Sequence, residues 1–97
     1  MGFEMLISKS AKKEIDTAYL FYLDRSLRIA DKFIHEIYKY ILEIQSNPTQ
    51  FRDVRKKYKV CIVNRYPFHI YYFIDRRKVI VVSVFHTSRK PKRKFET

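Results

Sequence analysis

The sequence predicts an α+β domain in the order β-α-α-β-β-β, a helical hairpin packed on a curved, mainly antiparallel four-stranded sheet. Three observations carry this prediction. Apolar residues recur at helical spacing in the first half of the 97-residue chain and at strand-like density in the second. The composition is 46% hydrophobic and 16% aromatic with one glycine and three prolines, which suits a packed core and excludes a low-complexity linker. The length accommodates one domain, residues 1–97, in which 87–97 read as a basic C-terminal tail.

Residues 3–8 (FEMLIS) form a short apolar run that reads as a strand. Ser8 or Ser10 can then cap a helix by accepting a bond from a backbone N–H of its first turn. From there Ala11, Ile15, Ala18 and Tyr22 recur at i+3 or i+4, which gives one buried helical face that ends near Asp24 and Arg25. Ser26 caps a second helix whose stripe is Leu27, Ala30, Phe33, Ile34, Ile37, Ile41 and Ile44. It stops before Asn47-Pro48, where proline disfavours continued helix. So short a turn makes the two helices a hairpin, and their joint apolar face requires a cover from the second half.

Residues 58–63, 68–74 and 79–85 are rich in Val, Ile, Tyr and Phe and read as strands, the last two joined by a polar turn at 75–78. The middle and last runs are almost continuously apolar, so both of their faces are covered and they are central in the sheet. Pro67 suits a strand start, where a missing N–H costs little. Period-two alternation puts Phe68, Ile70, Tyr72 and Ile74 on one face and His69, Tyr71 and Phe73 on the other. One set is core. The other is either a base-stacking surface or a second apolar layer or interface.

Charge is distributed unevenly. Lys and Arg number 21 against ten acids, a formal charge of +11. Residues 1–47 hold seven bases and seven acids, whereas residues 48–97 hold fourteen bases against Asp53, Asp75 and Glu96, which accounts for the whole excess. It sits in two clusters, residues 52–59 and 89–94, and implies a polyanionic or acidic partner. The single cysteine, Cys61, excludes an internal disulfide and points to a reducing cytoplasm. No Cys/His cluster has metal-ligand spacing, no Gly-rich cofactor loop is present, and no apolar run approaches the ~18 residues of a membrane span. Neither a cofactor nor a metal is expected.

No Ser-His-Asp order, carboxylate pair or P-loop is visible, so common hydrolase chemistry has no support. What remains is cationic. Lys57 and Lys59, at i and i+2, project to one face of a strand; Arg65 lies at its end; His86 and Arg89 flank the exit of the last strand. If they converge, such side chains can hold the scissile phosphate of RNA and stabilise the charge of an in-line attack by the 2′-hydroxyl, with His or Lys moving protons. The same residues can equally bind a nucleic-acid backbone uncut or pair with an acidic protein. Arg55, Lys56, Lys90, Lys92, Arg93, Lys94 and Phe95 are the further candidates for target binding. His35, on a charged helix flank, and His69, beside the aromatic run, stay outside this site.

The arrangement resembles the RelE/ParE superfamily of toxins from bacterial type II toxin–antitoxin modules. The resemblance rests on AYLFY at 18–22, ADKF at 30–33, IQSNP at 44–48, RYPFHIYY at 65–72 and VFHTSRKP at 84–91. It implies a growth-arresting toxin, of the kind known from plasmid stabilization, neutralised by a cognate acidic antitoxin in a hetero-oligomer. RelE-like members cut mRNA on the ribosome; ParE-like members inhibit DNA gyrase and are not nucleases. By resemblance Lys57, Lys59, Arg65 and Arg89 look like the basic residues of the RelE-like enzymes, but Phe95 stands where those place a tyrosine, and a phenyl ring has no hydroxyl to donate. The RYPFHIYY and His86-x-x-Arg89-x-Pro91 signatures look more like the ParE branch, which implies gyrase as target, with ribosome-dependent mRNA cleavage as the alternative and a non-toxic nucleic-acid-binding module as a third reading.

Overall fold

A computed structural model describes residues 2–88 of the chain. A strand, β1 (Glu4–Ile7), leads into helices α1 (Lys9–Leu23) and α2 (Leu27–Ser46), a single 3-10 turn (Pro48–Gln50), and strands β2 (Arg52–Asp53), β3 (Lys59–Ile62), β4 (Phe68–Asp75) and β5 (Lys78–His86). The expected order holds, with a two-residue edge strand, β2, added to the expected four. The sheet runs β1-β5-β4-β3-β2, so β4 and β5 are interior as their apolar runs require. β1 lies parallel to β5 and every other pairing is antiparallel.

Both helices begin on serine caps. Ser8 Oγ accepts from Ala11 N at 3.0 Å and Ser26 Oγ from Ile29 N at 3.0 Å, each satisfying a first-turn donor. Ser8, not Ser10, is therefore the first cap. The hairpin lays Ala11, Ile15, Ala18, Phe33, Ile37, Ile41 and Ile44 on the sheet residues Cys61, Ile70, Tyr72, Val79, Val81 and Val84. Leu27 departs from the expected stripe at 61% exposure, because it occupies the first position of α2, beyond the sheet's cover. The far face of the sheet carries a second apolar layer, Val60, Tyr71 and Phe85, with Val54, Tyr58 and Val82 packed against it.

β5 contributes to both layers through one irregularity. Tyr71 pairs with Ser83 but Tyr72 with Val81, which leaves Val82 as an extra residue. Such a bulge switches the parity of the strand. Val79 and Val81 face the helices before it, and Val84 faces them after it. The polar groups it displaces are met by Glu14 of α1, whose Oε1 accepts from Val84 N at 2.8 Å and from Ser83 Oγ at 2.9 Å. Farther along the sheet, the buried Tyr72 hydroxyl donates to Pro48 O at 2.6 Å and ties the 3-10 turn to β4.

Glu14→Ala would strand two polar groups, Ser83 being only 2% exposed. The expected cost is about 2 kcal/mol, which lowers the melting temperature by roughly 10 °C in a domain of this size. Glu14→Gln keeps the acceptor and should lose less than half as much; thermal melts of the three proteins compare them directly. A second expectation concerns Cys61, whose thiol is fully buried and is pushed from 9.0 up to about 12, chiefly by that burial and secondarily by the charge of Glu43. The unfolded thiol ionises first, so this contribution is complete below pH 9 and is lost as pH rises, at about 1.4 kcal/mol per pH unit up to about 12. Denaturant titrations at pH 8, 9 and 10 should therefore show a steeper alkaline decline in wild type than in Cys61→Ala.

Candidate functional site

The first basic cluster folds into the β2–β3 hairpin. Val54 N donates to Tyr58 O and Tyr58 N to Arg55 O, both at 3.0 Å, and Lys56 takes the left-handed conformation with φ 56° that closes the turn. Lys56 and Lys57 are exposed and Arg55 is half-buried. Lys57 Nζ lies over the Phe73 ring, 4.0 Å from its centroid, in a cation–π contact. Lys59 is differently employed: Nζ pairs with Asp53 Oδ1 at 2.7 Å and donates to Phe51 O at 3.2 Å, with the side chain 17% exposed.

This corrects the expectation that Lys57 and Lys59 share one strand face. Spacing of i and i+2 gives a common face only within a strand. The strand begins at Lys59, and Lys57 still belongs to the turn that Lys56 closes. Phe73, under Lys57, lies on the opposite face of β4 from Tyr72 and Phe51, beside which Lys59 is anchored.

Arg65 and His86 occupy the other end of the sheet. Arg65 is exposed in the bend before β4 and lines a cleft of about 390 Å³ against Arg28, Asp31, Lys32, His35 and Glu36 of α2. His86 pairs with Phe68 in register, and its ring meets the Phe68 ring edge-on, with centroids 5.0 Å apart. Its Nδ1 accepts from Ser88 N at 3.2 Å, which places the proton of the neutral ring on Nε2. Thr87 N donates to Pro67 O at 2.8 Å and holds the exit of β5 against the start of β4.

The cationic constellation is thus divided. Lys57 sits at Phe73 and His86 at Phe68, five residues apart along β4 and hence about 16 Å. The structure does not bring Lys57 or Lys59 together with Arg65 and His86, because β3 and β4 run antiparallel and the turn before β3 lies at the C-terminal end of β4. Arg89, Lys90, Lys92, Arg93, Lys94 and Phe95 lie outside the described residues.

The far-face aromatic residues resolve into a second apolar layer: Tyr71 is fully buried and Phe85 7% exposed. His69 contacts the Tyr71 hydroxyl through Nδ1 at 3.3 Å. Among the described residues no three His, Cys, Asp or Glu side chains are grouped to hold a metal ion. No described helix is long and apolar enough to cross a membrane. Two features escaped the sequence. One is the cleft at Arg65, where Arg28 and Lys32 of α2 come beside it. The other is the approach of the β4–β5 turn, Arg76 and Arg77, to the same sheet end as Lys56 and Lys57. The polar turn read at 75–78 was the available signal.

Comparison with solved structures finds a chain described as "Chromosomal ParDE TA system from P. aeruginosa" with a TM-score of 0.77. The match covers 87% of this chain and 95% of that one at 14% identity, which establishes a shared fold. A search of curated protein sequences returns no match. The profile of one family, described as the ParE toxin of the type II toxin–antitoxin system parDE, matches residues 5–91, from the first strand past the exit of the last, and the chain belongs to that family.

Proposed function

We propose that this toxin arrests growth by inhibiting DNA gyrase as a non-enzymatic binder and is held inactive by a cognate acidic antitoxin in a cytoplasmic hetero-oligomer. The observation that carries the gyrase reading over RNA cleavage is the separation of Lys57 from His86 by about 16 Å along β4. Proton transfer and phosphate stabilisation in one in-line step need their groups within hydrogen-bond reach of a single phosphate. Family membership supports the toxin itself.

For the antitoxin the relevant surface is the outer flank of α2. Ile34, Tyr38 and Leu42 recur at i+4 and line an open groove of about 590 Å³; Tyr38 is 41% and Leu42 64% exposed. A partner helix laying its apolar face there would cover them. The +11 charge speeds the encounter with an acidic chain.

Induced expression should cause DNA damage and loss of supercoiling while protein synthesis continues at first, and purified protein should inhibit gyrase supercoiling in vitro. Cleaved mRNA on translating ribosomes with supercoiling intact would instead identify a ribosome-dependent endoribonuclease, in which Arg65→Ala should abolish the arrest. For the antitoxin, Tyr38→Glu with Leu42→Glu should weaken binding of the small acidic protein from an adjoining reading frame by tenfold or more, with toxicity retained. Unchanged neutralisation in co-expression would place the antitoxin elsewhere.

A further inference from the structure

Strand order brings both tight turns of the sheet to one end. β3 and β5 each run antiparallel to β4, so the β2–β3 turn and the β4–β5 turn project beyond the same end, two strand spacings or about 10 Å apart. The segments 52–59 and 76–78 contribute eight bases there, against Glu4, Asp53 and Asp75. Asp53 is already engaged by Lys59. Lys56, Lys57, Arg76 and Lys78 are all exposed, and among the described residues none is within ion-pair distance of a carboxylate.

The backbone supplies an independent observation. Among the described residues two non-glycine positions have positive φ, Lys56 at 56° and Arg76 at 60°, one in each turn. Left-handed backbone favours glycine or asparagine, and any other side chain there costs stability. Both turns instead place a long cation at the strained position.

We propose that this end of the sheet is a docking surface for the phosphate backbone of duplex DNA, bound without sequence selection. The two turns are far enough apart to meet separate phosphates, as positioning contacts do. A single strand would be held by stacking on exposed rings. Here the rings are half-buried and already covered: Arg77 lies 4.7 Å from the Phe3 centroid and Lys57 lies over Phe73 and Tyr58. An acidic protein would need an apolar centre among the charges, and interface cores are depleted in lysine. The inference stands on the geometry of the sheet and does not depend on gyrase as the target.

The test is fluorescence anisotropy of the full-length protein with a labelled 20-base-pair duplex across a salt series, beside thermal melts. Lys56→Gly with Arg76→Gly removes two charges and relieves the left-handed strain. It should melt no lower than wild type, bind the duplex roughly tenfold more weakly and reduce the log–log salt slope by about 1.8. Lys57→Gln with Lys78→Gln leaves both turn backbones unaltered and should weaken binding comparably. The control Lys12→Gln with Lys13→Gln, on α1, should have little effect. Wild-type affinity and slope in the two turn variants would overturn the proposal. So would an equal loss in the α1 control, or competition by poly-glutamate as effective as that by unlabelled duplex.

Discussion

The two-layered core depends on the bulge in β5 and on the Glu14 carboxylate that holds it. A strand of strict alternation presents one set of side chains to each face from end to end. β5 instead changes parity at Val82, so Val81 and Val84, three residues apart, both reach the helix-side core while Phe85 is free to enter the layer behind the sheet. Without the switch, Phe85 would point at the hairpin, and Val84 and His86 would face away from it. The edge contact between His86 and Phe68, and with it the geometry at the exit of β5, follows from that one extra residue.

The bulge also ties α1 to the sheet. A displaced ladder N–H in the interior needs an acceptor, and a side chain from the covering helix can provide one only if that helix is fixed in both rotation and height. Glu14 supplies the acceptor from the middle of α1, while Ser8, at its start, caps the helix and donates its own N–H to the Val81 carbonyl at 2.9 Å. Apolar burial alone would leave the helix able to slide. Two polar anchors six residues apart set its position over β5, and the hairpin carries α2 with it.

Much of this architecture was legible because its causes are local. The serine caps, the helical stripes and the apolar β4 and β5 could be read from side-chain chemistry at short range. What escaped depends on register. Val-Val-Ser-Val at residues 81–84 is apolar almost throughout, so no alternation marked the parity change. β2 is two exposed residues long and carries no pattern. The i, i+2 reading of Lys57 and Lys59 failed because the turn between β2 and β3 closes on Lys56, a residue type that gives no turn signal; glycine or asparagine there would have announced it. Arg76 hid the second turn's geometry in the same way.

The division of charge along the sheet bears on how one small chain sustains +11. Like charges crowded together oppose the compact state, but the opposition falls off within a Debye length, about 8 Å at physiological ionic strength. β5 is nine residues long, about 30 Å, and separates the two basic turns from the end where Arg65 lies. The two ends are therefore electrostatically independent in solution, and a ligand that neutralises one leaves the other charged. An anionic surface held at the turns and an acidic partner drawn to the opposite end or to the flank of α2 need not compete for the same charges. Whether they exclude one another is then a matter of steric overlap alone.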